Sequence, residues 1–205
     1  MIAIIDYGAG NLRSVRTAFR RLDAPVRVTG DAGEIAAADG VILPGVGAFA
    51  DAMGALRKSG LIPVIKERAA SGVPFLGICL GMQALFDGSE EGEGEAGLGL
   101  IPGMVRRLPD CGLKIPHMGW NSLMPRKSSP LLEGLPAEPY VYFVHSYACR
   151  AACPEDVLTE TEYGAVFHSA VQRGNLMGMQ FHPEKSGAVG QRILRNFVAL
   201  TRKDG

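Results

Sequence analysis

Short apolar runs alternate with segments of helical periodicity in the first part of the chain, and this order constrains the fold most strongly. The runs cover Ile2–Asp6, Val41–Leu43 and Val73–Ile78, and a glycine-containing turn follows each of them. Continuous apolar strands, rather than alternating ones, are typical of a parallel sheet that is buried on both faces. The sequence therefore predicts an α/β fold with a mostly parallel central sheet and helices on both faces. Ligands bind such sheets at the carboxyl ends of the strands.

The pattern changes after an acidic, glycine-rich segment, Asp87–Gly99, which we expect to be a solvated surface loop. Short strand-like runs broken by Pro and Gly then predict an antiparallel portion added to the same sheet. These runs are Met104–Leu108, Tyr140–His145, Val157–Glu160, Ala165–His168 and Leu176–Phe181. Helical patterns cover Leu80–Phe86 and, at the end of the chain, Val189–Leu200, where the pattern is amphipathic and predicts a final helix. No repeat or linker interrupts the chain, so we expect one domain over residues 1–205.

Charge and cysteine content exclude several classes of protein. Lys+Arg and Asp+Glu both number 21, which argues against a nucleic-acid or membrane-surface protein. No run approaches the roughly 20 apolar residues that span a bilayer, and the N-terminus has no signal-like pattern. Cys79, Cys111, Cys149 and Cys153 lack the spacing of a zinc site. We therefore expect a cytoplasmic protein with free thiols and no metal.

The segment Gly77-Ile78-Cys79-Leu80-Gly81 lies at a predicted strand-to-helix turn. Such a turn is sharp, and its glycines avoid clashes between the flanking strand and helix. It exposes the nucleophile, leaves the next backbone N–H free to bind an oxyanion, and places the sulfur at a helix N-terminus that favours a thiolate. The alternative is that Cys79 is simply a small buried hydrophobic residue.

A cysteine nucleophile requires a base, and the chain offers four histidines. His182 follows a strand-like run in Phe181-His182-Pro183-Glu184, so it would arrive at a strand end, with Glu184 able to orient the imidazole. A capping or core histidine is the alternative for His182. His117, His145 and His168 are competing bases. His117 lies in a predicted loop over residues 116–121, and the other two end strand-like runs and could be structural.

The segments GICLGMQ and FHPE together resemble the class I (triad) glutamine amidotransferases, over nearly the whole chain. Three further segments, PGVGAF, PHMGWN and HPEKSG, and the DYGAGN start are similar to the glutaminase subunits of imidazole glycerol phosphate synthases. Each segment alone is only moderately specific, but their number and order make coincidence an unattractive explanation.

This resemblance assigns roles to individual residues. It implies a catalytic triad of Cys79, His182 and Glu184. It implies an oxyanion hole formed by Leu80, Val46 and Gly47. It implies glutamine-binding positions at Gln83, Glu91, His145, Ser146 and Tyr147. Glu90 is an alternative to Glu91, because the acidic loop aligns poorly.

The resemblance also implies a reaction and a partner. Glutamine would be hydrolysed to glutamate and ammonia without a metal or an organic cofactor. A (β/α)₈-barrel cyclase subunit would use the ammonia to make imidazole glycerol phosphate and aminoimidazole carboxamide ribotide in histidine biosynthesis. The resemblance places Trp120, Asn121 and Lys185 near the interface of this heterodimer, and a core position is the alternative for Trp120.

Three other functions stay open at the level of sequence. The chain could be the amidotransferase subunit of another synthase, of the anthranilate or aminodeoxychorismate type, although PHMGWN and PGVGAF argue against this. It could be a thiol hydrolase or a redox protein with the same elbow. It could be a binding module that lost the reaction, although such a module would have no need for Cys79, His182 and Glu184 together.

Overall fold

The structure is a computed structural model of the chain that describes residues 1–92 and 94–202. Within these residues, the helices are α1 (Leu12–Arg20), α2 (Ala32–Ala36), α3 (Phe49–Ser59), α4 (Ile62–Ala70), α5 (Leu80–Ala84) and α6 (Gly187–Leu200). The first seven strands are β1 (Ile2–Ile5), β2 (Val26–Thr29), β3 (Gly40–Gly45), β4 (Phe75–Cys79), β5 (Phe86–Ser89), β6 (Glu95–Ala96) and β7 (Ile101–Arg107). The later strands are β8 (His117–Ser122), β9 (Met124–Pro125), β10 (Tyr140–His145), β11 (Tyr147–Ala151), β12 (Val157–Tyr163), β13 (Ala165–Arg173) and β14 (Leu176–Met179).

The main sheet has eight strands in the order β2-β1-β3-β4-β14-β13-β12-β9. The pairs from β2 to β14 are parallel, and the pairs from β14 to β9 are antiparallel. The predicted fold class is therefore confirmed, including the antiparallel extension contributed by the second half of the chain. Strand β14 comes from late in the chain and pairs directly with β4, which brings two distant segments together at the centre of the sheet.

Two smaller sheets pack beside the main one. Strands β8 and β10 form an antiparallel pair in which His117 lies opposite His145. A four-stranded sheet follows the order β11-β7-β5-β6, with β5 and β7 parallel and its other pairs antiparallel. These two sheets cover the carboxyl end of β4, so they provide one wall of any site there.

Both faces of the central sheet are buried, as the apolar strands predict. Along β1, Ala3 and Ile5 pack into one core cluster and Ile2 and Ile4 into the other. The first cluster is completed by α3 and α4, and the second by α1 and α6. Asp31 caps α2 by accepting a hydrogen bond from the Glu34 amide at 2.8 Å.

Two local predictions from the sequence are wrong. The helix expected through Phe86 ends at Ala84, and part of the expected surface loop forms β5 and β6. Phe86 and Ser89 are fully buried, so packing overrides the polar, glycine-rich composition; Glu93 lies outside the described residues. The segment after Pro116, expected to be a loop, is strand β8, because its backbone pairs with β10.

None of the described helices is long and apolar enough to cross a bilayer.

Candidate active site

Cys79 lies at the end of β4, at the centre of the main sheet, where the chain turns directly into α5. Its backbone has φ +53° and ψ −110°, a conformation that costs a residue with a side chain about 1–3 kcal/mol. The flanking glycines allow this turn. A Cβ on Gly81 would overlap the carbonyl oxygen of Leu43, and a Cβ on Gly77 would lie 2.7 Å from the Gly81 carbonyl oxygen. The geometry is that of a nucleophile elbow.

His182 reaches the same place from β14, the parallel neighbour of β4. Its imidazole lies beside Cys79 in the same cavity, and the two groups interact. Its Nδ1 lies 2.9 Å from Oε1 of Glu184. Because a carboxylate only accepts, Nδ1 carries a proton and Nε2 is the nitrogen left for the sulfur. The structure thus brings together the three residues of the predicted triad.

The charge distribution in this triad favours a protonated imidazole. Burial lowers the pKa of His182, but hydrogen bonds to Cys79 and Glu184, together with the charges of these groups, raise it to about 9. The side chains of His182 and Glu184 are 3% and 1% exposed, so water screens the pair little. Within the described residues, Oε2 of Glu184 has no hydrogen-bond partner, which strengthens the need for a neighbouring cation. This arrangement therefore stabilises the imidazolium form of His182.

A cavity of about 290 Å³ opens over Cys79. Its walls come from the β3 end, the elbow, the acidic segment, the β8 start, the β10–β11 connection and the β14 end. The lining residues are Val46, Gly47, Cys79, Leu80, Gln83, Glu91, Pro116, Val144, His145, Ser146, Tyr147 and His182. The size is near the lower end of the range for small-molecule sites, ~300–1,000 Å³, so it suits a single small metabolite.

The predicted oxyanion segment lies just beyond a firmly held strand end. The Tyr7 hydroxyl donates to the Pro44 carbonyl oxygen at 2.9 Å, and a Cβ on Gly45 would lie 2.8 Å from the Gly81 nitrogen. Val46 is 42% exposed, and Gly47 adopts φ +97°. Packing therefore holds the backbone at Gly45, whereas Val46 and Gly47 lie just outside the buried strand.

The structure distinguishes the two acidic residues that the sequence left as alternatives. Glu91 lines the cavity, and its Oε2 accepts a hydrogen bond from the Phe49 amide at 3.0 Å, at the start of α3. Glu90 instead faces β7, where its carboxylate accepts from the Arg107 amide and lies 3.4 Å from Nη1 of Arg106.

The competing histidines serve other structural contacts. His145 lines the cavity, but its Nδ1 lies 3.0 Å from the Tyr147 carbonyl oxygen and its Nε2 lies 3.0 Å from Nδ1 of His117. Burial lowers the pKa of His145 to about 3 and that of His117 to about 4, so both are neutral at physiological pH. The Nδ1 of His168 accepts from the Ala151 amide, which joins β13 to β11.

Gln180 is the residue of this site that sequence reasoning missed. It is fully buried, and its Nε2 lies 3.7 Å from the Cys79 sulfur. The sequence signal for Gln180 is its position two residues before His182, because side chains two residues apart in an extended chain point to the same face. Among the described residues, no group of three or more His, Cys, Asp or Glu side chains could hold a metal ion.

The predicted interface residues do not share one environment. Trp120 is 56% exposed and contacts the Tyr142 ring edge-to-face, with centroids 6.2 Å apart. Lys185 Nζ lies 5.9 Å from the centroid of the same ring. Asn121 instead bonds within the chain, since its Nδ2 donates to the Glu162 carbonyl at 2.8 Å. Trp120 is thus not a core residue, and an exposed aromatic patch with a nearby cation surrounds Tyr142.

Comparisons with known proteins agree with this geometry. The model of the family "Glutamine amidotransferase class-I" matches residues 3–200. The chain is 56% identical over 204 residues to the imidazole glycerol phosphate synthase subunit HisH of Moorella thermoacetica, covering 100% of this chain and 97% of the relative. It is 52% identical to the protein of the same name from Salinibacter ruber, covering 98% and 94%. A crystal structure of a glutamine amidotransferase superposes with a TM-score of 0.75 at 20% identity, covering 98% of this chain and 99% of that one, which shows the shared fold.

Proposed function

This chain belongs to the class-I glutamine amidotransferase family, and from that premise we propose that it is the glutaminase subunit of an imidazole glycerol phosphate synthase. The observation that carries the proposal is that Cys79 and His182 line one small cavity, while Glu184 holds Nδ1 of His182 at 2.9 Å. Full-length relatives that bear this subunit name, at 56% and 52% identity, support the choice of synthase.

The proposed reaction follows from the positions of the three side chains. The Cys79 thiolate attacks the δ-carbonyl carbon of glutamine, and a tetrahedral oxyanion forms. The His182 imidazolium gives its Nε2 proton to the leaving ammonia, which produces a glutamyl thioester. Water then attacks the thioester with His182 as base, and glutamate leaves. Glu184 holds the imidazole in the required orientation throughout.

The oxyanion would be held by the backbone N–H of Leu80 and by one N–H from Val46 or Gly47. One such donor contributes ~3 kcal/mol, or about a hundredfold in rate. Because Gly47 has φ +97° and follows an exposed Val46, rotation of this peptide would switch the second donor on or off. We therefore expect a low basal rate that rises when the partner binds its own ligand. Equal turnover with and without the liganded partner would contradict this switch.

Glutamine would bind across the cavity, with Glu91, Ser146 and the backbone around Tyr147 as polar contacts. The partner would be a (β/α)₈-barrel cyclase subunit that receives the ammonia in a cytoplasmic heterodimer. Trp120 and Lys185, on the exposed patch around Tyr142, are the proposed anchors for that subunit. Asn121 is the third proposed interface residue, and its Nδ2 also donates to the Glu162 carbonyl oxygen.

The test measures glutamate release by the chain alone, with the cyclase subunit, and with the cyclase subunit plus its phosphoribosyl-formimino substrate. We expect rapid turnover only in the third mixture, and none from Cys79→Ser. Cys111→Ser is the matched control, because Cys111 is exposed and outside the cavity. Stimulation by an anthranilate-type synthase subunit instead of the cyclase would assign the chain to the other synthase class.

A further inference from the structure

We propose that Gln180 is a further catalytic residue, whose side-chain amide donates a hydrogen bond to the Cys79 sulfur and stabilises its thiolate. Nε2 of Gln180 lies 3.7 Å from Sγ of Cys79, and the side chain is fully buried. A donor to a charged acceptor in a dry site is worth more than a neutral hydrogen bond. This inference rests on the proposed glutaminase function and adds a neutral donor to the three residues of the triad.

The orientation of the Gln180 amide follows from its neighbour Gln83. Nε2 of Gln83 lies 2.9 Å from the Tyr147 carbonyl oxygen, which can only accept, so this end of the Gln83 amide is the NH₂ group. The same nitrogen lies 3.1 Å from the amide of Gln180 and donates to its Oε1. Gln180 therefore turns its oxygen to Gln83 and its NH₂ group to Cys79.

The Tyr147 carbonyl is held in turn by the paired histidines. Because this carbonyl accepts, His145 carries its proton on Nδ1, and its Nε2 must accept from Nδ1–H of His117. Both rings are buried and neutral, so this assignment is stable at physiological pH. Every hydrogen bond in the series from His117 to Gln180 thus has one assigned donor, and the last donor, Gln180, faces the Cys79 sulfur. Gln83 and His145 are positioning residues for Gln180.

The other groups that face Cys79 supply a different interaction or already have another partner. His182 supplies a positive charge, and its Nδ1 is committed to Glu184. Burial and the charge of Cys79 raise the pKa of Tyr7 to about 12, and its hydroxyl already donates to the Pro44 carbonyl. The same two causes raise the pKa of Cys149 well above its ordinary value, so its thiol stays neutral.

The donor has a specific use in the second half of the reaction. Water adds to the thioester carbon while neutral His182 takes the proton. The C–S bond then breaks, and its electron pair returns to Sγ. At that moment the imidazole has served as a base, and the Gln180 amide is already aimed at the developing negative charge. Loss of this donor should slow both thiolate formation and release of glutamate.

The experiment measures the pH dependence of Cys79 alkylation in the full chain without glutamine. Iodoacetamide is the probe, and the modified Cys79 peptide is quantified by mass spectrometry between pH 5 and pH 10. Gln180→Met removes the amide at similar volume, and Gln180→Glu keeps an acceptor for Gln83 but replaces the donor with a carboxylate. Gln172→Met is the matched control, because Gln172 donates to Gly174 in the β13–β14 turn, away from the cavity.

The midpoint for Cys79 alkylation should rise by about one pH unit in Gln180→Met, which corresponds to about tenfold less thiolate at neutral pH. It should rise further in Gln180→Glu and stay unchanged in Gln172→Met. If Gln180 only supported the fold, the alkylation midpoints of its two variants would not rise in this order. Unchanged midpoints in folded Gln180 variants would overturn the proposal. Because the assay needs no glutamine, its result is independent of turnover. An upward shift in a protein that shows no glutaminase turnover even with the liganded cyclase subunit would refute the proposed function and leave the hydrogen bond standing.

Discussion

Replacement of Glu184 by glutamine tests how the triad sets its protonation state. The change keeps the volume and an acceptor for Nδ1 of His182, but it removes the buried charge that lies 2.9 Å from this nitrogen. Burial lowers the pKa of His182, and bonds to Cys79 and Glu184 with their charges raise it to about 9. Glu184→Gln removes the increase in the His182 pKa that comes from the carboxylate, and it leaves the decrease that comes from burial.

The size of the effect follows from the strength of that bond. A hydrogen bond to a charged group is worth ~1.5–3 kcal/mol, and one pKa unit corresponds to about 1.4 kcal/mol. We therefore expect the pKa of His182 to fall by about one to two units. Because the folded-state pKa is raised, the imidazolium is present below it and is lost as pH rises through about 9. In Glu184→Gln this loss begins about one to two units lower.

The assay is glutamate release against pH at saturating glutamine, with the cyclase subunit and its ligand present. The alkaline limb of the profile should move down by about one to two units, and turnover at the optimum should fall about 10-fold to 100-fold. The control is Glu67→Gln, on the exposed face of α4. An alkaline limb that stays at the wild-type pH in the folded variant would refute the assigned role of Glu184.

Three further changes test the elbow, the strand end and the interface. Gly81→Ala should destabilise the protein by about 3 kcal/mol or more in urea unfolding, because its Cβ overlaps the backbone of Leu43; a wild-type midpoint would contradict the packing. Tyr7→Phe should lower the free energy of unfolding by about 1–2 kcal/mol, since it removes the buried bond to Pro44; no change would mean that this bond contributes nothing. Trp120→Ala should weaken binding of the cyclase subunit at least about tenfold in titration calorimetry, with an unchanged urea midpoint, and unaltered affinity would exclude this surface.

The central sheet was predictable because its strands are buried on both faces and therefore apolar throughout. Ile2–Ile5 and Phe75–Cys79 are examples, and the glycines that flank Cys79 mark the turn that follows. Strands β5 and β8 were not predictable from pattern. Asp87-Gly88-Ser89 lacks apolar alternation, and the two apolar residues of β8, Met118 and Trp120, are exposed. Both segments become strands because β7 and β10 supply their backbone partners.

The candidate site was predictable where one residue type carries the chemistry and neighbouring residues fix the turn. Cys79, His182 and Glu184 meet this condition, and the structure brings them together. Gln180 does not, because a glutamine near a strand end has no chemical signature until the Cys79 sulfur lies beside it. The choice between Glu91 and Glu90 also required the structure, since it depends on which of the two carboxylates accepts a hydrogen bond at the start of α3.

The most direct measurement of the central claim identifies the atom that attacks glutamine. A glutamine-analogue electrophile is incubated with the chain and the cyclase subunit, and the adduct is located by peptide mass spectrometry. The account predicts modification of Cys79 that excess glutamine suppresses and that His182→Ala slows strongly. An adduct on Cys149 or Cys153, or labelling of Cys79 that glutamine leaves unaffected, would contradict it.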